Sequence, residues 1–162
     1  MDLIPLHARH ASELASLWLA GVRENAVAEP AYAPAVSREQ YADILASRLG
    51  AGALFGWAIM LPSSSRLAAY LTAEVRNAAP EFVHRRYLSL LDLDVHLAER
   101  RKGLGRRLVE AAKRHAHAAG LSSIEVSWVT RDAGAAAFWQ RQGFGPYLTR
   151  GSLGGAAFAG GA

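Results

Sequence analysis

The sequence predicts an α+β fold in which a mixed, mostly antiparallel sheet is flanked by helices. Helix and strand patterns follow the order helix, helix, three strands, helix, strand, helix, strand, and a further short strand is expected at residues 3–6. Three consecutive strands favour an antiparallel meander, whereas the strand–helix–strand unit at residues 87–129 predicts a right-handed parallel crossover. One sheet containing both kinds of pairing is therefore expected.

Composition limits the kind of protein that this chain can be. A length of 162 residues, half of them apolar, fits one domain with a substantial core. We expect one domain at residues 1–150 and a partly disordered tail, rich in glycine and alanine, at residues 151–162. No apolar run reaches the roughly 18 residues of a membrane span, and the N-terminal segment lacks the features of a signal peptide. A cytoplasmic protein without membrane contact is expected.

The first two helices have clear apolar faces. The segment "SELASLWLAGV" places four apolar side chains on one helical face: Leu14, Leu17, Trp18 and Val22. The segment "SREQYADILASRLG" begins with a capping-box pair, Ser37 and Gln40, and reaches Gly50, where a helix should end. Two prolines in "AVAEPAYAPAV" argue against one continuous helix.

Three strands follow these helices. "ALFGWAIM" and "RLAAYLTAEV" flank the turn-forming "LPSSS", so a hairpin is expected. Strict alternation along "RYLSLLDLDV" separates two faces. One face carries Leu88, Leu90, Asp92 and Asp94. The opposite face carries Tyr87, Ser89, Leu91, Leu93 and Val95.

The last third of the chain predicts a helix, a strand, a short helix and a final strand. The helix after Gly105 is amphipathic and stops at Gly120. Its inward residues are expected to be Leu108, Val109, Ala112, Ala116 and Ala119. "SIEVSWV" reads as a strand, "DAGAAAFWQRQG" as a short helix, and "FGPYLTR" as the last strand.

A basic turn, "RRKGLG" at residues 100–105, joins the third consecutive strand to the amphipathic helix. Unpaired N–H groups and the helix dipole favour an anion there, and glycines allow phosphate oxygens to approach. Basic residues are unfavourable at this end of a helix unless an anion is bound, so phosphate binding explains the cluster better than solvated charge. A net charge of +4 leaves a nucleic-acid surface open, but no aromatic, Asn or Gln reader interrupts the cluster. Neither the P-loop nor the dinucleotide fingerprint matches.

This turn is an R-x-x-G-x-G sequence, and it resembles the acyl-CoA binding motif of the GNAT N-acetyltransferase superfamily. The segment "DAGAAAFWQRQGFG" also resembles that family's N-x-x-A-x-x-F-Y-x-x-x-G-F pattern, and the element order agrees. The resemblance covers residues 3–150 and is strongest at residues 87–144. It implies a GNAT-like acyl-CoA N-acyltransferase fold, with acetyl-CoA as co-substrate and direct attack by an amine in a ternary complex. The absence of cysteine agrees with a reaction that forms no thioester on the enzyme.

The resemblance also implies the cofactor-binding residues. Free backbone groups at Leu93 and Val95 would pair with the pantetheine arm, and amides of the turn would meet the pyrophosphate. The full implied set is Leu93, Val95, Arg100, Arg101, Lys102, Gly103, Leu104, Gly105, Arg106, Asp132, Phe138 and Trp139. The acceptor would be a small-molecule or protein amine. Nucleic acid is not expected as a partner, and a homodimer is left open.

Catalysis is where the sequence departs from the family. Trp139 stands where the family often has a tyrosine that acts as the general acid, and Asp132 stands where the family commonly has an asparagine. Tyr147 could act as the acid, the thiolate could leave without one, or the chain could bind acyl-CoA with little activity. An acceptor amine carried by aminoacyl-tRNA also stays open. Asp92 is the expected base or amine-binding residue, with three alternatives: Glu74, Asp94 and His96. No metal site is predicted, because His115 and His117 diverge on their helix.

Overall fold

The computed structural model describes residues 1–62, 64 and 66–150 and has the predicted α+β architecture. Four α-helices are described: α1 Ala11–Ala28, α2 Arg38–Gly50, α3 Leu104–Ala118 and α4 Ala133–Arg141. The strands in this part of the chain are β1 Leu3–Pro5, β2 Phe55–Met60, β3 Leu67–Asn77, β4 Arg86–Val95 and β5 Ser123–Val126. They form one sheet in the order β1-β2-β3-β4-β5, antiparallel except for the parallel β4–β5 pair. The predicted mixed sheet is confirmed, while the tail at residues 151–162 lies outside the described residues.

Helix boundaries follow local chemistry. The N–H of Gln40 donates to Ser37 Oγ over 3.2 Å, and the N–H of Ser37 donates to Gln40 Oε1 over 2.8 Å, so the predicted capping box forms at the start of α2. Helix α1 continues to Ala28, beyond its apolar pattern, and ends just before Pro30. The predicted boundary between the first two helices is therefore confirmed.

The core lies on both faces of the sheet. On one face, α3 and α4 pack against the strands through buried residues that include Leu88, Leu90, Leu108 and Val109. On the other face, α1 and α2 pack against the strands through buried residues that include Leu14, Leu45 and Tyr70. Helices α3 and α4 therefore form one layer on the sheet, and the two N-terminal helices form the other.

The strict alternation predicted for β4 is wrong at one position. Thr72 pairs with Asp92 and Ala73 pairs with Leu90, so Leu91 is an extra residue in a β-bulge. Leu91 packs on the α1/α2 face. Beyond the bulge the phase is shifted, and Leu93 and Val95 join Leu88 and Leu90 on the α3 face. The bulge leaves Asp92 and Asp94 on the α1/α2 face.

The predicted strand "FGPYLTR" is also wrong, because residues 144–150 form no strand. Pro146 has no N–H for a ladder, and the N–H of Phe144 instead donates to the Trp139 carbonyl at the end of α4. A smaller correction concerns Ala119, which was expected to face inward. It is exposed because α3 ends at Ala118 and Ala119 is its C-cap.

Candidate active site

Strand β4 separates from β5 halfway along its length. Parallel pairing runs from Tyr87 opposite Ser123 to Leu90 opposite Val126. Beyond Leu90, the strand pairs only with β3 in the part of the chain that is described. The bulge at Leu91 stands where the two strands part. In the described chain, the last five residues of β4 are therefore unpaired on the β5 side, and we refer to this unpaired edge as the opening.

The backbone of β4 directs free polar groups into this opening. The N–H of His96 donates to the Ala68 carbonyl over 2.8 Å. Hydrogen-bonded and non-hydrogen-bonded residue pairs alternate along an antiparallel ladder. The backbone N–H and C=O groups of Asp94 therefore also point towards β3, whereas those of Leu93 and Val95 point away from it. The Val95 carbonyl accepts a hydrogen bond from Arg100 Nε over 3.2 Å. The N–H of Val95 and both polar groups of Leu93 face the opening.

The basic turn leads from β4 into the start of α3. Arg101, at φ 63°, and Gly103, at φ 80°, both have left-handed backbone. Gly103 is the N-cap of α3 and supplies no side chain for capping. The first intrahelical bond runs from the Arg107 N–H to the Gly103 carbonyl over 3.1 Å. The N–H groups of the preceding residues, Leu104 to Arg106, are left for an external acceptor.

The five basic residues near this turn differ in their partners. Three are engaged: Arg100 pairs with Glu24, Lys102 with Glu99, and Arg107 with the Met1 carbonyl, at 2.9, 3.1 and 2.9 Å. Among the described residues, the side chains of Arg101 and Arg106 have no ion pair or hydrogen bond. These two cations are therefore available to pair with a bound anion.

Gly105 allows α3 and α4 to pack closely. A Cβ atom built on Gly105 would lie 3.2 Å from the Phe138 ring and 3.5 Å from the Leu93 side chain. The residue is buried, so a larger side chain would displace the ring. Phe138 therefore lies between the start of α3 and the splayed part of β4, beside the opening.

The two departures in α4 have structural explanations. Asp132 is the N-cap of α4, where its Oδ1 accepts the Ala135 N–H over 2.9 Å. Trp139 is only 7% exposed and packs edge-on against Phe138 and Phe144, with ring centroids 5.0 and 5.3 Å apart. Its indole is part of the core on the α3 face. Helix capping thus accounts for Asp132, and core packing accounts for Trp139.

Asp94 lines a cavity of about 170 Å³ between α1 and the end of β4. Tyr70 donates to its Oδ2 over 2.7 Å. Burial, opposed in part by that hydrogen bond, raises the pKa of Asp94 to about 7. A Cβ on Gly21 of α1 would come within 2.1 Å of Oδ1, so only glycine leaves room for this carboxylate. A buried carboxyl that titrates near neutrality can take up a proton from a substrate.

Asp92 faces the same layer but has a different environment. Its Oδ2 accepts from Thr72 Oγ1 over 3.0 Å, and its N–H donates to the same hydroxyl over 3.2 Å. Burial raises the pKa of Asp92. Asp92 does not line the cavity at Asp94. These contacts describe a carboxylate that fixes β4 to β3 at the bulge.

Of the remaining predicted catalytic residues, His96 shares the cavity with Asp94, whereas Glu74 and Tyr147 do not line it. Glu74 pairs with Arg48 at 2.8 Å and with Arg76. His96 lines the cavity, and its Nδ1 accepts the Ala98 N–H over 3.4 Å. Tyr147 is 72% exposed and donates to Glu125 Oε2 over 2.7 Å. Glu125 is opposite Ser89, six positions before Val95, or roughly 20 Å along a strand.

Sequence reasoning missed two residues of α1 that border the cavity, Gly21 and Glu24. A glycine in the middle of an amphipathic helix signals a close approach to a neighbour, and Gly21 carries that signal. Glu24 carries none, because an exposed glutamate near a helix end is ordinary. Its importance follows only from its ion pair with Arg100.

Solved structures resemble this chain in fold. The tetramutant of BH1408 protein from Bacillus halodurans has 17% identity and a TM-score of 0.80, covering 95% of this chain and 99% of that one. A GCN5-related N-acetyltransferase from Ralstonia eutropha JMP134 has 20% identity and a TM-score of 0.73, with coverage of 94% and 97%. The aminoglycoside N-acetyltransferase AAC(6')-Iy, solved in complex with CoA, has 14% identity and a TM-score of 0.72, with coverage of 94% and 92%. At these identities the likeness concerns the fold.

Sequence comparison is more specific. No curated protein matches the chain. None of the helices described here is long and apolar enough to cross a bilayer. Among the described residues, no three His, Asp or Glu side chains are grouped as a metal site.

The profile of the Acetyltransferase (GNAT) family matches residues 13–144, which is most of the chain. The protein is a member of the GNAT acetyltransferase family.

Proposed function

We propose that the protein transfers an acetyl group from acetyl-CoA to an amine, and that the amine attacks the thioester directly. The observation that carries this proposal is the splayed end of β4, where free backbone groups of Leu93 and Val95 lie beside the buried Asp94 carboxyl. One side of the strand would hold the acyl donor, and the α1 side would admit the acceptor.

The turn supplies what the donor's pyrophosphate requires. Left-handed backbone at Gly103 opens the start of α3, whose first N–H groups have no capping side chain. Arg101 and Arg106 add positive charge without an internal partner in the described chain. The pantetheine arm would pair with Leu93 and Val95 as an added strand, with Phe138 forming one wall.

Asp94 is proposed as the base, in place of Asp92. An ammonium group must lose a proton before its nitrogen can attack, and Asp94 is accessible to a bound amine through the cavity. The nitrogen then forms a bond to the thioester carbon. The oxyanion that results would accept a hydrogen bond from the Val95 N–H. Collapse of this intermediate breaks the C–S bond and releases the thiolate, and the nitrogen loses its second proton to solvent to give the neutral amide.

The thiolate would leave without a protein acid. Trp139 is in the core, and Tyr147 is engaged with Glu125, which is opposite Ser89 and so roughly 20 Å from Val95 along β4. A thiol with a pKa of about 8.5 is already a fair leaving group near neutral pH. The proton taken by Asp94, or one from solvent, restores the free thiol afterwards.

Single-turnover thiol release tests this function. Acetyl-CoA and a panel of primary amines should yield free CoA and an acetylated amine, identified by mass spectrometry, without acetylated protein. Release that requires the amine, at a rate that rises with amine concentration, fits direct attack. CoA binding by calorimetry without thiol release for any amine would instead identify a binding module and overturn the enzymatic proposal.

A further inference from the structure

Arg100 connects the phosphate-binding turn to helix α1. Its Nη2 lies 2.9 Å from both carboxylate oxygens of Glu24, and its Nε donates to Val95. The side chains are 39% and 53% exposed. Exposed ion pairs are weak, so a doubly charged phosphate group arriving at the turn can draw Arg100 away at little cost.

Glu24 of α1 and Asp94 of β4 line the same cavity. Leu17, Gly21 and Glu24 share one helical stripe, and Asp94 touches that stripe at Gly21. Tyr70 occupies Oδ2 of Asp94, whereas Oδ1 accepts no hydrogen bond from the described residues. Among the described residues, every fully buried side-chain nitrogen or oxygen atom has a hydrogen-bond partner. Because Oδ1 has none, it is not fully buried, and it faces the cavity that Asp94 lines. Glu24 lies three residues further along, roughly 5 Å on the helix axis.

The size and walls of the cavity restrict its ligand. Its volume of about 170 Å³ is well below the roughly 300–1,000 Å³ of sites that enclose drug-sized molecules. Leu17 and Ala20 give it an apolar wall. Such a space suits an unbranched alkyl chain. Two carboxylates line it, Asp94 opposite Gly21 and Glu24 three residues further along α1, and such a pair suits a positive charge at each end of that chain.

Building on the proposed function, we propose that the acceptor is a straight-chain diamine or polyamine. One amine reacts at Asp94, and Glu24 binds a second ammonium group after Arg100 has turned to the phosphate of the bound acetyl-CoA. The cofactor thereby creates part of the acceptor site. In the absence of CoA, Arg100 neutralises Glu24 and the second subsite is closed.

Putrescine and n-butylamine differ only in the second amino group, so their kcat/KM ratio measures this subsite. We expect wild-type protein to favour putrescine about fivefold, and Glu24→Gln to bring the ratio close to one. Glu13→Gln, the same change in the first turn of α1, should keep the wild-type ratio. A wild-type ratio near one, or a ratio that survives in Glu24→Gln, overturns the proposal.

Calorimetry tests the coupling independently. Putrescine should bind wild-type protein about threefold to fivefold more tightly when CoA is present, and this gain should vanish in Glu24→Gln. Equal affinity with and without CoA contradicts the proposal. Failure of the proposed function is distinct, since then neither amine releases thiol, whether or not CoA binds. If CoA binds and both amines react equally, only the diamine inference fails.

Discussion

At the scale of single residues, the two aspartates of β4 have different environments although they lie two positions apart on one face. Asp94 borders an open cavity and burial raises its pKa to about 7, whereas Asp92 is held by Thr72 beside the bulge. Space at Gly21 makes the first arrangement possible. Local environment, more than residue type, therefore separates the proposed base from a structural carboxylate.

We expect Asp94→Asn to lower the single-turnover rate by about a hundredfold or more while CoA affinity persists, because the amide cannot accept the proton. Asp92→Asn serves as the matched control and should change the rate far less. In wild type, the rate should rise with pH through about 7, where Asp94 loses its proton. A full rate in Asp94→Asn across this range would contradict its role as base.

The same carboxyl should affect stability. Its folded pKa of about 7 exceeds the ordinary value of 3.8, so the folded state binds a proton that the unfolded state releases between these values. The free energy of unfolding contributed by this group should fall as pH rises from about 4 to 7. Urea denaturation at several pH values should show the decline in wild type and its loss in Asp94→Asn. Parallel stability curves for the two proteins would refute this prediction.

Trp139→Tyr tests whether the family's tyrosine position matters here. Because the indole is buried against Phe138 and Phe144, the smaller ring should cost about 1–3 kcal/mol of unfolding free energy. We expect no faster thiol release, since thiolate departure needs no acid in the proposed mechanism. A large gain in single-turnover rate with the same amine would show that an acid is missing.

At the scale of elements, the β4–α3 turn depends on backbone that favours glycine. Gly103 and Gly52 both have positive φ, 80° and 69°, and a Cβ at either would meet no atom within 4 Å. They differ in location, since Gly103 caps α3 beside the splayed strand and Gly52 follows α2. The pair therefore separates backbone strain from ligand contact.

Gly103→Ala and Gly52→Ala should each lose about 1–2 kcal/mol of stability through left-handed strain. Only Gly103→Ala should weaken CoA binding, because its methyl group would occupy the phosphate's approach. Thermal denaturation and calorimetric titration measure the two effects. Equal CoA affinity in the two folded variants would show that the pyrophosphate does not bind at this turn.

At the scale of the whole molecule, the proposed donor site joins parts that are distant in sequence. The end of β4, the start of α3 and Phe138 of α4 meet at the opening, while α1 closes its other side. Binding of CoA should therefore stabilise the folded chain as a unit. At a CoA concentration 100 times Kd, the gain should be about 2.7 kcal/mol.

For a domain of this size, such a gain raises Tm by roughly 5–10 °C. A thermal shift with CoA, compared with adenosine alone as a control that lacks the pyrophosphate and the pantetheine arm, measures the effect. Similar small shifts for both compounds would argue against the proposed donor site.

Local patterns predicted the order of elements as far as α4, the mixed sheet, the capping box of α2 and the family, because periodicity, capping and short motifs act over a few residues. The remaining features depend on how distant parts of the chain pack together. The bulge at Leu91 changed the phase of β4, and the segment at residues 144–150 formed no strand. The distinction between Asp92 and Asp94, and the pairing of Glu24 with Arg100, depend on which distant elements cover each side chain. Burial and long-range partners are properties of packing, so no local pattern encodes them.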